Sequence, residues 1–216
     1  MTVDVNGVNI YGRIPAMAGD SYHHGALHQA ILAAAIEEAR LSGPQGVQVR
    51  ALAKTVGVSP AAVYRHVPSI EALLTEVAQI ARERLAAHLI AHRDHAPVRE
   101  SGRAAALERF GAVGRAYVDF ALAEPNLFDT AFAPTTVSPP RPDDPSPWDV
   151  LVGGVQELVD AGVVPGSAAD RAAVIAWSGV HGISSILLRQ AMVGPLDRES
   201  AINAVLDGIL QSLETL

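Results

Sequence analysis

A glycine-centred turn between two short apolar stretches, in the segment Val49–Glu71, constrains the fold more than any other feature of this sequence. Gly57 stands where a left-handed helix end favours a residue without a side chain. Ser59 can cap the amides of a following helix, and Pro60 fits the first turn of that helix because its missing N–H is not needed there. The sequence therefore predicts two short helices joined by a tight turn, which is a helix-turn-helix.

This segment is also locally basic. Between residues 44 and 68 there are three basic residues, Arg50, Lys54 and Arg65, and no acidic residue, although the whole chain has a net charge of −7. The first 75 residues hold five Lys/Arg and five Asp/Glu, so the excess of acidic residues lies entirely in the rest of the chain. The acidic remainder of the chain repels a polyanion such as DNA. The small basic face therefore predicts that DNA is bound by local contacts at this segment.

The same residues resemble a known family. The segments Ala53–Ser59, Val63–Ser69 and Glu71–Leu74, with Leu27–Ala35 upstream, are similar to the DNA-binding domain of TetR-type (TetR/AcrR) transcriptional regulators. The resemblance covers about fifty residues. It implies an N-terminal domain of three helices and a double-stranded DNA operator as a partner.

In that family the helix that matches Ser59–Val67 enters the major groove, so the resemblance implies roles for the matching positions. Arg50 is implied to reach a guanine edge, whereas Tyr64 and His66 are implied to hold phosphates. The complete predicted DNA-binding set is Arg50, Lys54, Ser59, Ala61, Ala62, Tyr64, Arg65 and His66. Its alanines can contact only thymine methyl groups, so we expect moderate specificity at each half-site and a palindromic operator.

The rest of the chain is helical in pattern. The predicted helices are Ile70–His92, Arg103–Glu124, Asn126–Ala133, Trp148–Ala161, Ala168–Met192 and Arg198–Leu213. Six prolines between residues 134 and 147 exclude a helix or a central strand there and predict a flexible loop that could cover a ligand.

We therefore expect an all-α fold, with an N-terminal three-helix helix-turn-helix domain and a C-terminal helical ligand-binding and dimerisation domain. Residues 1–20 are predicted to be a disordered arm, 21–74 the DNA-binding domain and 75–216 the C-terminal domain. Met17 begins a segment that would itself make a sensible N-terminus, so a start at that residue is an alternative.

The large aromatic residues are concentrated in the C-terminal part. They could form an ordinary core or line a pocket for an apolar compound. The segments 117–128 and 177–182 resemble the C-terminal module of a TetR-type subgroup named for its Trp-His-Gly residues, which implies a small apolar effector. The candidate ligand-binding residues are Phe110, Tyr117, Phe120, Phe128, Phe132, Trp148, Trp177 and His181.

The resemblance also implies a homodimer in which the last two predicted helices of each chain form a four-helix bundle. The candidate contact residues are Ile183, Leu187, Ala201, Val205 and Ile209.

The uncharged run 172–188 is seventeen residues long and contains serine and glycine, so it predicts a buried helix rather than a membrane span. No signal-peptide pattern precedes the DNA-binding segment, and a cytoplasmic location is expected.

An enzyme is the rival class of function. Ser178 and His181 are three residues apart, but no strand–turn–helix nucleophile elbow surrounds the serine.

His88, His92 and His95 have a spacing that can hold a metal from one helix face, although a solvated helix end explains them as well. His23, His24 and His28 precede the first matched helix and suit phosphate contact better than metal. No metal or cofactor is predicted, and the conclusion is a ligand-responsive DNA-binding repressor, with a dimeric DNA-binding protein that senses no ligand as the alternative.

Overall fold

The computed structural model describes residues 20–96, 102–134, 145–189 and 197–216. These residues form nine α-helices and no strand, which confirms the all-α prediction. The helices are α1 (Asp20–Ser42), α2 (Val49–Val56), α3 (Pro60–His66), α4 (Ile70–Asp94), α5 (Arg103–Ala123), α6 (Pro125–Ala131), α7 (Pro147–Asp160), α8 (Ala169–Leu188) and α9 (Arg198–Glu214). Residues 1–19 of the predicted arm, with Met17, and positions 135–144 of the proline-rich loop lie outside the described residues.

The helix-turn-helix has the local geometry that its sequence predicts. Gly57 adopts φ 78° and ends α2, and its N–H donates to the carbonyl of Ala53 at 3.0 Å. The hydroxyl of Ser59 accepts a hydrogen bond from the N–H of Ala62 at 3.2 Å, so it caps α3, and Pro60 is the first residue of that helix. The turn therefore holds α2 and α3 at a fixed angle to one another.

The helices α1, α2 and α3 pack with the first half of α4 around one apolar core. Its fully buried side chains include Ile31, Leu52, Val63, Leu73 and Val77. A second and larger core begins further along the same α4, at Ala81, and includes residues from α5 to α9. One continuous helix of 25 residues, roughly 37 Å long at 1.5 Å per residue, thus contributes to both cores.

The contact between α8 and α9 depends on a glycine. A Cβ atom at Gly179 would lie 2.7 Å from Cδ1 and 3.0 Å from Cγ1 of Ile209. Real Cβ atoms do not approach other atoms so closely, so a larger residue at this position would force the Ile209 side chain or the two helices to shift. Close packing of α8 on α9 therefore explains why position 179, two residues after Trp177, is a glycine.

The outer face of α8 is apolar and exposed. The segment Gly166–Leu188, with a mean hydropathy of 1.3, is long and apolar enough to cross a membrane by length and composition alone, a test that core helices also pass. Only 33% of its most apolar window is buried within the chain, so the helix that was expected to be buried is only partly buried by its own chain. Val174 and Ile186 are 57% and 40% exposed.

Three of the five residues predicted to make the dimer contact are buried within their own chain. Ile183, Ala201 and Ile209 are at most 7% exposed and belong to the core of their own chain. Leu187 and Val205 are only partly buried and pack against that core. The prediction is therefore corrected for Ile183, Ala201 and Ile209, because the core of their own chain covers them, and it stays a prediction for Leu187 and Val205.

Candidate DNA interface and candidate effector site

The basic residues of the helix-turn-helix point to solvent. Arg50 and Lys54 on α2 and Arg65 on α3 are exposed, and Tyr64 on α3 is 57% exposed. Ser59 and Ala61 are exposed at the N-terminal end of α3. A helix N-terminus with small side chains can approach a polyanion closely, so six of the eight predicted residues lie where DNA contact is possible.

Two predicted residues have a different position. Ala62 is buried, with only 9% of its surface exposed, so its side chain is hardly available for contact with a base. His66 is half-buried at the end of α3, and its carbonyl oxygen accepts a hydrogen bond from Nδ1 of His28 at 3.1 Å. The DNA face of α3 is therefore narrower than the sequence predicted.

His28 connects three helices. It lies inside α1, which begins at Asp20, so the expectation that it precedes the first helix is wrong. Its second ring nitrogen lies 3.1 Å from Oε2 of Glu76 on α4. His28 therefore ties α1 to α3 and α4 and is occupied within the fold; the side chains of His23 and His24 are not described.

An apolar cavity lies in the larger core. Its volume is about 30 Å³, and its walls come from α4, α5, α7, α8 and α9. Phe110, Tyr117 and Trp177 line it, together with Gly111 and Leu210. Small-molecule pockets usually measure roughly 300–1,000 Å³, so this cavity is too small for an ordinary ligand in the present conformation and would have to expand to bind one.

Tyr117 is at the centre of an aromatic cluster. Its ring centroid lies 5.5 Å from that of Trp177 and 5.6 Å from that of Phe128, and its hydroxyl lies 2.9 Å from Nδ1 of His181. Burial raises the pKa of Tyr117 well above its usual value of 10.0, so the hydroxyl keeps its proton and can donate it to Nδ1. Burial also lowers the pKa of His181, with a smaller contribution from the positive charge of Arg189. A neutral imidazole that accepts at Nδ1 carries its hydrogen on Nε2.

The eight predicted ligand-binding residues do not share one pocket. Phe110, Tyr117 and Trp177 line the apolar cavity, whereas Phe128, Phe132 and His181 line a separate cleft beside the N-terminal domain. Trp148 is 42% exposed, with its ring 5.6 Å from that of Trp177. Phe120 lies with its ring 5.6 Å from that of His88 and lines neither space. The sequence missed Gly111 and Gly114 of the cavity wall, although glycines inside a helical pattern are a signal of close approach or free space.

The other histidine and serine groups are engaged in local contacts. Nδ1 of His92 lies 2.8 Å from the carbonyl oxygen of His88, and Nδ1 of His95 lies 2.6 Å from that of Ala91, so both rings bond to the end of their own helix. No group of three or more possible metal ligands occurs among the described residues. Ser178 is exposed and makes no hydrogen bond to His181, whose Nδ1 is paired with Tyr117. A serine–histidine pair for hydrolysis is therefore not formed.

The short helix α6 connects the two domains. The side-chain amide of Asn126 donates to the carbonyl oxygens of Arg40 and Leu41, in the last turn of α1. The guanidinium of Arg82 on α4 donates to the carbonyl oxygen of Ala131 at 2.8 Å, at the other end of α6. A displacement of α6 would therefore act on α1 and α4 together.

The fold and the exposed basic face define the class of the protein, which is a helical DNA-binding regulator with a helix-turn-helix and a second helical domain. Two family models match the chain: "Bacterial regulatory proteins, tetR family" over residues 31–77, and "Tetracyclin repressor-like, C-terminal domain" over residues 110–209. The chain belongs to the TetR family of bacterial transcriptional regulators, as the resemblance implied. The C-terminal match includes both segments that resemble the Trp-His-Gly module.

Solved structures agree with this assignment. A protein of unknown function from Rhodococcus sp. RHA1 is 30% identical, with a TM-score of 0.71, and the match covers 89% of this chain and 98% of that one. A TetR family regulator from Vibrio parahaemolyticus is 19% identical, with a TM-score of 0.56 and coverage of 86% and 97%. A TetR variant from Acinetobacter baumannii AYE in complex with minocycline is 18% identical, with a TM-score of 0.59 and coverage of 86% and 94%. No match was found among curated proteins.

Proposed function

We propose that the protein is a homodimeric repressor that acts in the cytoplasm, binds a palindromic operator through α2 and α3, and leaves it when a small apolar compound enters the C-terminal cavity. The observation that carries the proposal is the outward orientation of Arg50, Lys54 and Arg65 on a segment without acidic residues, in a chain of net charge −7. The cavity and the α6 contacts supply the response to a ligand. The known complex of a TetR variant with minocycline supports a ligand for this fold.

DNA recognition follows from the exposed residues. Arg50 is the candidate for a bidentate contact with guanine, since a guanidinium can pair with two acceptors on one base edge. Tyr64 and the half-buried His66 lie where they can hold phosphates, and Lys54 and Arg65 can serve either purpose. Paired domains roughly 34 Å apart would meet successive major grooves on one face of the duplex.

Binding to genomic DNA tests this part. Fragments that the protein retains from its own genome should contain a palindrome, and log affinity should fall with log salt concentration with a slope of magnitude up to about 5, because three cations per chain release counterions. Changing Arg50, Lys54 and Arg65 together to Ala should abolish retention. Arg198→Ala, which removes an exposed cation at the start of α9, is the control. Equal retention by the triple variant would overturn the proposal.

The effector is proposed to occupy the cavity lined by Phe110, Tyr117 and Trp177. This cavity measures only about 30 Å³, so an effector must stabilise an expanded form of the core. Such a compound shifts the protein only if it binds one arrangement of the two DNA-binding domains more tightly than the other. The helix α4 contributes to both cores and α6 contacts α1, so an expanded core would move the N-terminal domain.

The uncharged dye N-phenyl-naphthylamine can test whether the cavity opens. Its fluorescence should rise on binding to the protein and should not rise with Gly111→Val, because a Cβ at Gly111 meets only Leu210 at 3.7 Å and points into the cavity. Gly153→Ala, where a Cβ meets nothing within 4 Å on α7, is the control. If neither the dye nor any compound that displaces it changes operator affinity, the alternative of a dimeric DNA-binding protein without a ligand response is favoured.

The dimer is proposed to form through the exposed apolar face of α8. Val174 and Ile186 project from this face, and Gly182 between them has open space around its missing Cβ. Changing Val174 and Ile186 to Glu should convert the dimer to a monomer in light scattering at micromolar concentration. Val152→Glu changes a residue that is 44% exposed on α7 and should leave the dimer intact. A monomeric wild-type protein would contradict the proposal.

A further inference from the structure

A second cleft lies where the N-terminal domain meets α6 and α8. It measures about 290 Å³, close to the lower limit of roughly 300 Å³ for ordinary small-molecule pockets. Its walls come from the 3₁₀ turn at Pro44–Gly46, from α6 with the residues that follow it, and from the end of α8. It shares no lining residue with the apolar cavity, so the two spaces can be occupied independently.

The wall formed by α8 is a column of hydrogen-bond donors. His181, Ser185 and Arg189 follow one another at four-residue intervals, so they lie on one face of the helix. Nδ1 of His181 is used by Tyr117, and Nε2 has no partner among the described residues. The column therefore offers an imidazole N–H, a hydroxyl and a guanidinium to a ligand.

The wall formed by α6 is aromatic. The rings of Phe128 and Phe132 lie with their centroids 5.0 Å apart, and the ring of Phe132 lies 4.9 Å from that of His181. Phe128 and His181 are stacked with their centroids 5.6 Å apart. These three rings pack against one another, so a flat ring would lie on Phe132 at the edge of this cluster, beside the donors of α8, rather than between the rings.

The cleft carries two charged groups without ion pairs. Arg189 at the end of α8 and Asp129 on α6 both line it and are exposed, and neither has an ion-pair partner among the described residues. The guanidinium can hold a carboxylate bidentately, whereas the Asp129 carboxylate repels an anion and accepts from a hydroxyl. A ligand must therefore present opposite chemistry at its two ends.

We propose that this cleft is a second ligand site, which binds a planar aromatic carboxylate with a hydroxyl group at the far end of its ring. The carboxylate lies at Arg189 with hydrogen bonds from Ser185 and His181, the ring lies against Phe132, which Phe128 supports from the core, and the hydroxyl faces Asp129. Gln45 from the 3₁₀ turn completes the cleft on the side of the N-terminal domain. Occupancy at this position would act directly on the junction of the two domains, but binding itself does not depend on the proposed repressor activity.

Calorimetric titration of the full-length protein with para-hydroxybenzoate tests the site. The wild-type protein should bind the acid at least tenfold more tightly than para-hydroxybenzamide, which has the same shape without the charge. Arg189→Gln should lower the affinity for the acid at least tenfold. Arg189→Lys should lower it less, since lysine keeps the charge without the planar fork. Arg171→Gln, an exposed arginine near the start of the same helix, should bind as the wild type does.

Two further variants separate this cleft from the apolar cavity and from a loss of folding. Gly111→Val fills the cavity and should leave binding of the acid unchanged. Asp129→Asn should tighten the binding of benzoate, which lacks the hydroxyl, a few-fold, and misfolding cannot produce such a gain. The proposal is overturned if the wild type gives no binding at millimolar acid, if Arg189→Gln binds equally well, or if Gly111→Val abolishes binding in a protein with a normal circular dichroism spectrum.

Discussion

The side-chain amide of Asn126 donates a hydrogen bond to the carbonyl oxygen of Leu41 at 2.9 Å and a second one to that of Arg40 at 3.1 Å. These carbonyls lie in the last turn of α1, where a helix leaves its carbonyl groups without partners in the helix itself. The C-terminal domain thus caps a helix of the DNA-binding domain. The same helix α6 carries Phe128 of the aromatic cluster, so a change around that cluster has a direct connection to α1.

The first prediction concerns this cap. Asn126→Leu keeps the approximate volume and removes both donors, so the free energy of unfolding in urea should fall by about 1–2 kcal/mol, the net value of two ordinary hydrogen bonds. Amide hydrogen exchange in the last turn of α1 should also become faster. Gln211→Leu, at an exposed position of α9, should change neither measurement. Unchanged exchange in α1 for Asn126→Leu would show that the cap does not link the domains.

A second prediction uses two glycines of the N-terminal domain. A Cβ added at Gly57 or at Gly25 would meet nothing within 4 Å, but Gly57 has φ 78° and Gly25 lies inside α1. Gly57→Ala should lower the midpoint of thermal unfolding, because a left-handed conformation costs an L-residue about 1–2 kcal/mol. Gly25→Ala should raise it, since alanine favours a helix over glycine by about 1 kcal/mol. Equal effects at both positions would contradict the assigned turn.

The sequence predicted those parts of the fold that depend on local chemistry. Gly57, Ser59 and Pro60 specify the turn and the cap by their own backbone preferences, and the structure has both as predicted. The helix ends also agree within a few residues, except that Met192 lies outside the described residues. Local sequence patterns therefore predicted the turn, its cap and most of the helix ends.

Features that depend on neighbours from elsewhere in the chain were not predictable in this way. Ala62 was assigned to the DNA face, although its side chain is buried in the fold. The aromatic residues were assigned to one pocket, but Tyr117 separates the cavity from the cleft because its ring and its hydroxyl contact residues of both. Such divisions depend on where α5, α6 and α8 meet, which spacing along one helix does not encode.

A third prediction concerns the contact of α8 with α9. Gly179→Ala places a methyl group 2.7 Å from Cδ1 of Ile209, so the Ile209 side chain or the helices must shift, and we expect overpacking of this kind to cost about 1–3 kcal/mol of unfolding free energy. Gly153→Ala adds the same methyl group inside α7, where nothing lies within 4 Å, and should be neutral or stabilising. Chemical denaturation of both variants gives the comparison. A normal stability for Gly179→Ala would mean that Ile209 moves aside at little cost.

The last prediction concerns pH. Burial, and then the charge of Arg189, hold the pKa of His181 below its usual value of 6.5 in the folded protein. The unfolded chain therefore binds the proton first as the pH falls, so stability that is present above pH 6.5 is lost as the pH falls from there through the folded pKa. In His181→Gln the side-chain oxygen can still accept from Tyr117 but does not titrate. The unfolding free energy of this variant, measured in urea between pH 7 and pH 5, should decline less steeply than that of the wild type.

His88, whose pKa burial also lowers, contributes equally to the wild type and to His181→Gln and cancels in the difference between them. In Arg189→Gln the decline should lie between the other two, because the contribution from burial remains. Parallel curves for the wild type and His181→Gln would show that the imidazole is as free to accept a proton in the folded protein as in the unfolded chain.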